Sequence, residues 1–500
     1  MPVRLRSFHL LVVLLLFTLS LGAQAPPETI TIDASAPAHP FPHYWEQMFG
    51  SGRAVLSLRD AYRRDLRAVR QITGMQYVRF HAILDDEVGV YDEDKQGRPI
   101  YNFSYVDQIY DGLLANNVKP YVELSFMPYK LAARQDLQSF WYHPNVTPPK
   151  DYAKWDDLVT QFAKHLIERY GIEEVAAWYF EVWNEPNLDF WTGTPKQESY
   201  FELYGHTARA IKAVNPRLRV GGPATAQAAW ISAMIQHAQQ KNVPLDFVSG
   251  HIYGNDKASD VFHSSEKIPR DQMVCRAVKM MQEQVKASSR PELPLIVSEF
   301  NAADDNQVAV TDSIYMAPWL ATTIAQCDGL AEMMSYWTFS DVFEEQGIVK
   351  EPFYGGFGLI AAGGIPKPSF YAFQILHRLG DTRLENGNPN VLVTKTSEGY
   401  LAVAVWNIAE PGTTGMAKLV KLDFKGVKPD SRISISRVDD EHGNTLALYE
   451  KMGKPRYPTP DQIRDLRENS RLPDPTYDEL TDGSYSLQLP VNGLAVIQVR

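Results

Sequence analysis

From residue 41 to 380, short apolar runs alternate with longer stretches in which apolar residues recur every three or four positions. The runs suit strands buried in a parallel sheet, and the longer stretches suit amphipathic helices. The runs predict strands over Trp45–Gly50, Gln76–Leu84, Lys119–Met127, Ala176–Trp183, Leu218–Pro223, Phe247–Tyr253, Leu293–Phe300 and Met333–Phe339. The helical spacing predicts helices over Leu58–Thr73, Phe103–Asn116, Ala153–Tyr170, Glu198–Val214, Ala228–Lys241, Asp271–Lys286, Asp312–Cys327 and Ser369–Leu379. Eight strand–helix pairs in series fit a closed (β/α)8 TIM barrel over 41–380. A doubly wound open sheet would need a glycine-rich phosphate loop after its first strand, and Gly50-Ser51-Gly52-Arg53 is only a fragment of one. The span is longer than the roughly 250 residues typical of the fold, so long loops are expected, Ser340 to Pro368 above all.

After residue 385 the pattern changes to short β-like segments separated by turn residues: Val391–Thr396, Leu401–Asn407, Leu419–Phe424, Arg432–Arg437, Tyr485–Leu489 and Ala495–Val499. They predict a β-sandwich domain over 381–500. The segment 26–40 carries a lone strand, Thr29–Asp33, which needs a sheet to join and is expected to add to that domain. Lys454 to Glu479, with its prolines and charged helical turn, reads as a surface excursion. Residues 1–25 read as a secretory signal peptide. Arg4 and Arg6 precede an apolar run from Leu10 to Leu21, and Ala23 and Ala25 offer small residues for cleavage after either one. The run is shorter than the roughly 20 apolar residues a membrane span requires, so a mature protein without a membrane anchor is expected, secreted or periplasmic.

Composition adds little beyond a globular protein: 44% hydrophobic and 22% charged residues exclude disorder and a polytopic membrane protein. The 49 Lys and Arg against 60 Asp and Glu give a net charge of −11, which disfavours nucleic acid as a partner. The two cysteines, Cys275 and Cys327, exclude a disulfide-dense scaffold, and two separate buried thiols are the expected state.

In such a barrel the reactive groups sit at the C-terminal strand ends. Strand four ends Trp183-Asn184-Glu185-Pro186-Asn187 and strand seven Val297-Ser298-Glu299-Phe300-Asn301, so two glutamates can face each other across the barrel mouth. Opposed carboxylates suit glycosidic bond cleavage, one protonated to serve the leaving oxygen and one ionised to attack the anomeric carbon. His251 and Tyr253 alternate onto one face at the end of strand six, and His81 ends strand two. Trp337 ends strand eight, where an indole can lie under a pyranose, and Phe126 after strand three can supply an apolar wall. Glu344 and Glu345 lie in the long loop that follows strand eight, placed to accept hydrogen bonds from sugar hydroxyls. No H-E-x-x-H or C-x-x-C motif is present, and the loop that starts at Asp92 has Phe103 where a calcium loop needs a glutamate, so neither metal nor cofactor is expected. There is no G-x-S-x-G elbow. Asn102 and Asn145 have the form of glycosylation acceptors.

Four stretches resemble glycoside hydrolase family 39 of clan A, the family of β-xylosidases and α-L-iduronidases. They are Arg79-Phe80-His81 with Asp85-Asp86-Glu87-Val88-Gly89-Val90-Tyr91, then Glu181 to Asn187, Glu299 after strand seven, and Tyr336-Trp337-Thr338-Phe339-Ser340-Asp341-Val342-Phe343-Glu344-Glu345. The chain departs from the pattern at Ala82 and Tyr354, where Gly and His are usual in the xylosidases. The resemblance implies that Glu185 is the general acid/base, Glu299 the nucleophile and Asn184 the partner of the sugar 2-hydroxyl. It further implies a retaining β-xylosidase acting on non-reducing ends of xylo-oligosaccharides. An endo-acting enzyme on another polysaccharide, an arabinosidase, and a carbohydrate-binding protein without turnover are the alternatives. Iduronidase action would require a cation for the uronate carboxylate, and no Lys or Arg is assigned to that task. The sequence says nothing of oligomeric state.

Overall fold

The computed structural model describes residues 27–500; the signal-peptide reading of 1–25 lies outside them. Eight parallel strands close into a barrel in chain order, the eighth pairing with the first. We number them β1 (Met48–Gly50), β2 (Tyr77–Phe80), β3 (Lys119–Leu124), β4 (Tyr179–Val182), β5 (Arg219–Thr225), β6 (Phe247–Tyr253), β7 (Leu295–Asn301) and β8 (Met333–Tyr336). The helices between them are α1 (Asp60–Ile72), α2 (Ser104–Leu114), α3 (Tyr152–Tyr170), α4 (Lys196–Val214), α5 (Ile231–Gln240), α6 (Arg270–Lys286), α7 (Met316–Gln326) and α8 (Pro368–Leu376). Each matches a predicted element to within a few residues. The ends follow local chemistry: the Asp151 side chain accepts the Ala153 amide at 2.9 Å to start α3, and Gly171, at φ 80°, stops it. Strand β8 ends at Tyr336, three residues earlier than expected, because the chain leaves the sheet at Trp337 to enter the barrel mouth.

The β-rich part is a sandwich. A three-stranded sheet, Glu28–Asp33, Lys418–Lys425 and Ser484–Leu489, faces a seven-stranded one across a shared core that includes Ile32, Leu422, Leu487, Val403, Ile433 and Ile497. The N-terminal strand pairs in parallel with Lys418–Lys425, as its need for a sheet suggested. The other face of the larger sheet carries Leu392, Ala404, Trp406, Leu494 and Val496 into the barrel's hydrophobic core. Burial on both faces explains why Leu401–Trp406 is apolar at every position. Three short strands of the seven-stranded sheet were not predicted, Ala38–Pro40, Thr382–Leu384 and Thr476–Glu479. The first and last are exposed sheet edges with no apolar alternation to betray them.

Three expectations need correction. Cys275 of α6 and Cys327, just after α7, form a disulfide, because the two helices pack side by side and bring residues 52 apart in sequence together. The stretch 454–479 is no mere surface excursion. Its helix Pro460–Asn469 buries Leu466, which packs with Tyr449 against Phe353, Ala361 and Ile365 of the loop after β8. Asn145 is buried and donates to the Arg134 carbonyl at 2.7 Å, so it does not present a glycosylation acceptor, whereas Asn102 is exposed.

Candidate active site

Side chains that alternate along β2, β3 and β4 fill the barrel in layers. Tyr77, Tyr121 and Tyr179 pack together with Phe247 toward the N-terminal end. Two residues further along the same strands stand Arg79, Glu123 and Glu181, all fully buried. Charges this deep are tolerated only when paired, and Arg79 supplies the pairing. Its Nε donates to Glu181 at 2.6 Å, Nη1 to Glu299 at 2.6 Å, and Nη2 lies 3.0 Å from Asn184 Oδ1 and 2.8 Å from Glu123. His81 Nδ1 lies 2.7 Å from Glu123. Burial opposes a charge on this imidazole, but the Glu123 carboxylate, helped by Glu345 and Glu299, outweighs it and raises the pKa to about 9. Two cations thus face three carboxylates beneath the mouth.

Above this layer the strand ends turn sharply. Ala82, Trp183, Glu185, Ala224 and Gln227 all adopt φ between 42° and 73°, a conformation costly for residues with a Cβ. Ala82 stands where the resemblance expects glycine, and its φ of 71° gives the reason glycine suits the position. The Glu185 amide donates to the Ala224 carbonyl at 2.8 Å, which ties the end of β4 to β5 and directs the carboxyl inward.

His251, fully buried, stands between the two strand-end glutamates: Nδ1 is 3.0 Å from Glu185 Oε1 and 3.6 Å from Glu299 Oε1, and Nε2 is 3.1 Å from Ser298 Oγ. Ligand-type oxygens of Glu185 and Glu299 lie within 4.8 Å of each other. Tyr253 donates its phenol proton to Glu299 Oε2 at 2.6 Å, so both oxygens of Glu299 are held. Burial pushes Glu185 up to about 7 against the partial relief of His81 and Arg79, with Asp304 and Glu123 adding to the rise. Burial also holds His251 down to about 4, which keeps it neutral. Glu345 is raised to about 8, again chiefly by burial.

These groups line a cavity of about 210 Å³. Of the residues predicted from sequence, His81, Asn184, Glu185, Tyr253, Glu299, Trp337 and Glu345 line it, and His251 supports it from behind. Two do not. Phe126 is fully buried one layer back, edge-on to Trp183 at 5.6 Å and stacked on Phe190 at 6.2 Å. Glu344 turns away from the cavity to Arg53 and Arg59, at 3.3 and 3.1 Å, and these guanidinium groups hold its carboxyl below the usual range despite partial burial. Phe140, Leu188, Phe190, Gln227, Asp256, Asp304, Gln346 and Phe357 line the cavity without having been singled out, all from loops whose paths the sequence does not reveal. Glu123 and the role of Arg79 were also missed. Their signal was a single charge inside an otherwise apolar strand run, YVRF, YVEL and YFEV. Trp337 depends on Gly50, since a Cβ there would stand 2.1 Å from Trp337 Cε3.

The family model described as Glycosyl hydrolases family 39 matches residues 28–478. The chain belongs to that family. Among its relatives, a β-xylosidase from Geobacillus stearothermophilus is 38% identical over 85% of this chain and 86% of its own length. A β-xylosidase from Caldicellulosiruptor saccharolyticus is 37% identical over 86% and 88%. The crystal structure of a monomeric β-xylosidase from Caulobacter crescentus CB15 superposes with a TM-score of 0.85 at 32% identity, covering 95% of this chain and 99% of that one.

In this family 39 hydrolase the loop after β8 is fixed by a buried ionic staple. Lys367 Nζ lies 2.6 Å from both Asp312 and Asp341 and donates to the Gly356 carbonyl at 2.8 Å, while the Gly355 and Gly358 amides donate to the two carboxylates. Glu345, Gln346 and Phe357 owe their positions over the cavity to this loop. Among the described residues two groups of side chains are close enough to hold an ion, Glu185 with His251 and Glu299, and, remote in sequence from the strand ends of the mouth, His43 with Glu46 and His377.

Proposed function

We propose that the chain is a retaining, exo-acting β-xylosidase in which Glu299 is the nucleophile and Glu185 the general acid/base. The observation that carries this reading is the pairing of the two glutamates. Their oxygens come within 4.8 Å, in keeping with the roughly 5–5.5 Å of retaining enzymes and short of the 6.5 Å or more that an inverting enzyme needs for water. Their surroundings differ in the required sense: Glu185 lies in a dry setting that raises its pKa to about 7, and Glu299 is gripped by a guanidinium and a phenol. Glu299 attacks the anomeric carbon as Glu185 gives its proton to the departing oxygen. Glu185, now ionised, takes a proton from water, whose oxygen displaces Glu299 and releases the sugar with its configuration retained. Asn184 Oδ1 is occupied by Arg79, which leaves its NH2 to donate to the 2-hydroxyl. The small cavity, below the roughly 300–1,000 Å³ of drug-sized sites, favours a single sugar ring and end-wise action. The relatives named β-xylosidase supply the choice of xylose.

The roles of Glu344 and Phe126 follow from their positions: Glu344 anchors the loop and Phe126 backs the wall. The N-terminal segment led by Arg4 and Arg6 directs export, and no helix of the described residues is long and apolar enough to cross a membrane. The test is release of 4-nitrophenol from its β-D-xyloside, with the sugar anomer followed by NMR and Glu299→Gln as control. β-Xylose should appear first and the control should lose the activity. α-Xylose first, or full activity in the control, would refute the assignment.

A further inference from the structure

A second hollow, of about 180 Å³, lies beside the catalytic cavity, lined by Asn306, Phe343, Gln346, Ile348, Lys350 and Tyr354 among others. Gln346 lines both. Phe343 packs edge-on against Trp337 at 5.9 Å and Phe357 at 5.5 Å, both walls of the cavity, so the two spaces share an aromatic partition as well. The hollow has features of a polar binding site that lacks its partner. Asn306 and Tyr354 line it, and Asn306 Oδ1 and the Tyr354 hydroxyl are buried without a hydrogen bond, an uncommon and costly state for polar atoms. The Gln346 side chain makes no hydrogen bond to the described residues and is exposed, so beside the aromatic partition only its bulk stands between the two spaces.

The barrel order gives the hollow its direction. Glu185 stands at the end of β4, and the leaving group must lie on its side to receive the proton. Strand β8 is four positions from β4 around the closed barrel and therefore opposite to it. Its loop faces the other end of the bound sugar, the non-reducing end. We propose that the hollow is a second sugar subsite on the non-reducing side, and that the Gln346 side chain is the partition holding the enzyme to one sugar ring. A second xylose attached at that end would occupy the hollow once the partition is shortened, its hydroxyls meeting Asn306 and Tyr354. The inference rests on the β-xylosidase reading above.

The experiment compares 4-nitrophenyl β-xyloside with 4-nitrophenyl β-xylobioside in the parent and in Gln346→Ala, with products separated by chromatography. The parent should free 4-nitrophenol from the xylobioside only after a lag, once the terminal xylose has gone. Gln346→Ala should release it at once together with intact xylobiose, and the ratio of direct release on the two substrates should rise at least about tenfold, the scale of a relieved side-chain clash in a pocket. Adding Asn306→Ala or Tyr354→Phe should lower that ratio again. If Gln346→Ala does not fold, Gln346→Asn is read in the same way, with a smaller rise. An unchanged ratio, or a raised one indifferent to Asn306 and Tyr354, overturns the subsite. A parent inactive on the xyloside overturns the β-xylosidase reading, and the subsite with it.

Discussion

Replacing Glu185 by Gln should abolish turnover and yet make the protein more stable above neutral pH. The side chain is 12% exposed, and burial lifts its pKa from 4.5 to about 7. A carboxyl whose folded pKa is raised binds its proton more tightly in the native state than in the unfolded one. Below pH 4.5 both states are protonated and nothing is lost. Between 4.5 and about 7 the unfolded chain ionises while the native one does not, so stability falls as pH rises, and above 7 the loss is complete. At roughly 1.4 kcal/mol per unit the rise corresponds to about 3 kcal/mol. Gln has the same shape and never ionises, so Glu185→Gln escapes this loss. Urea unfolding of parent and variant at a series of pH values should show the variant gaining on the parent by about 3 kcal/mol between pH 4.5 and 8, with little further change beyond. A stability difference that does not depend on pH, or a parent that gains with rising pH, would refute the claim that Glu185 is buried in a setting that favours its neutral form.

Under the proposed mechanism the same group sets the alkaline limb of activity: kcat/KM on an aryl xyloside should fall as pH rises through about 7, where Glu185 loses the proton that serves the leaving oxygen. Asp304 contributes to that raised value, so Asp304→Asn should move the limb to lower pH, read from the pH–rate profile. Lys367→Met leaves Asp312 and Asp341 buried with no counter-charge and should cost about 3–5 kcal/mol in urea unfolding, with activity reduced because the loop bearing Glu345 loses its anchor. Loss of the Cys275–Cys327 bridge in a double Ala variant frees a loop of 52 residues in the unfolded chain and should cost about 4 kcal/mol, measured the same way.

What the sequence disclosed follows from what each signal depends on. Strand-end glutamates announce themselves because an apolar run stops at them, and the barrel then forces Glu185 and Glu299 to one mouth. The direction of a loop side chain has no such guide. Glu344 and Glu345 are neighbours in sequence, yet one serves Arg53 and Arg59 and the other faces the cavity, a division made by the path of the chain after Asp341. Phe126 misled for the same reason. The disulfide depends on the packing of α6 on α7, to which neither helix's own pattern refers. Arg79 was visible only as one letter of a motif; its work as the hub of four partners emerges when three strands are placed in register.

That hub explains how one mouth can surround its two glutamates so differently. Uniform burial would give both glutamates the same surroundings. Arg79 breaks the symmetry because it is fixed within its own layer by Glu123 and Glu181 and so directs Nη1 only at Glu299, while Glu185, at the end of β4, meets neutral His251 instead of a guanidinium. Glu123 and Glu181 make no contact with the cavity, yet they decide which glutamate receives the cation. The left-handed turn at Glu185, whose amide is tied to the Ala224 carbonyl, completes the separation, and the backbone strain at this and neighbouring strand ends is its energetic counterpart. The difference between the surroundings of Glu185 and Glu299 is therefore built one layer down in the barrel, in residues that do not line the cavity.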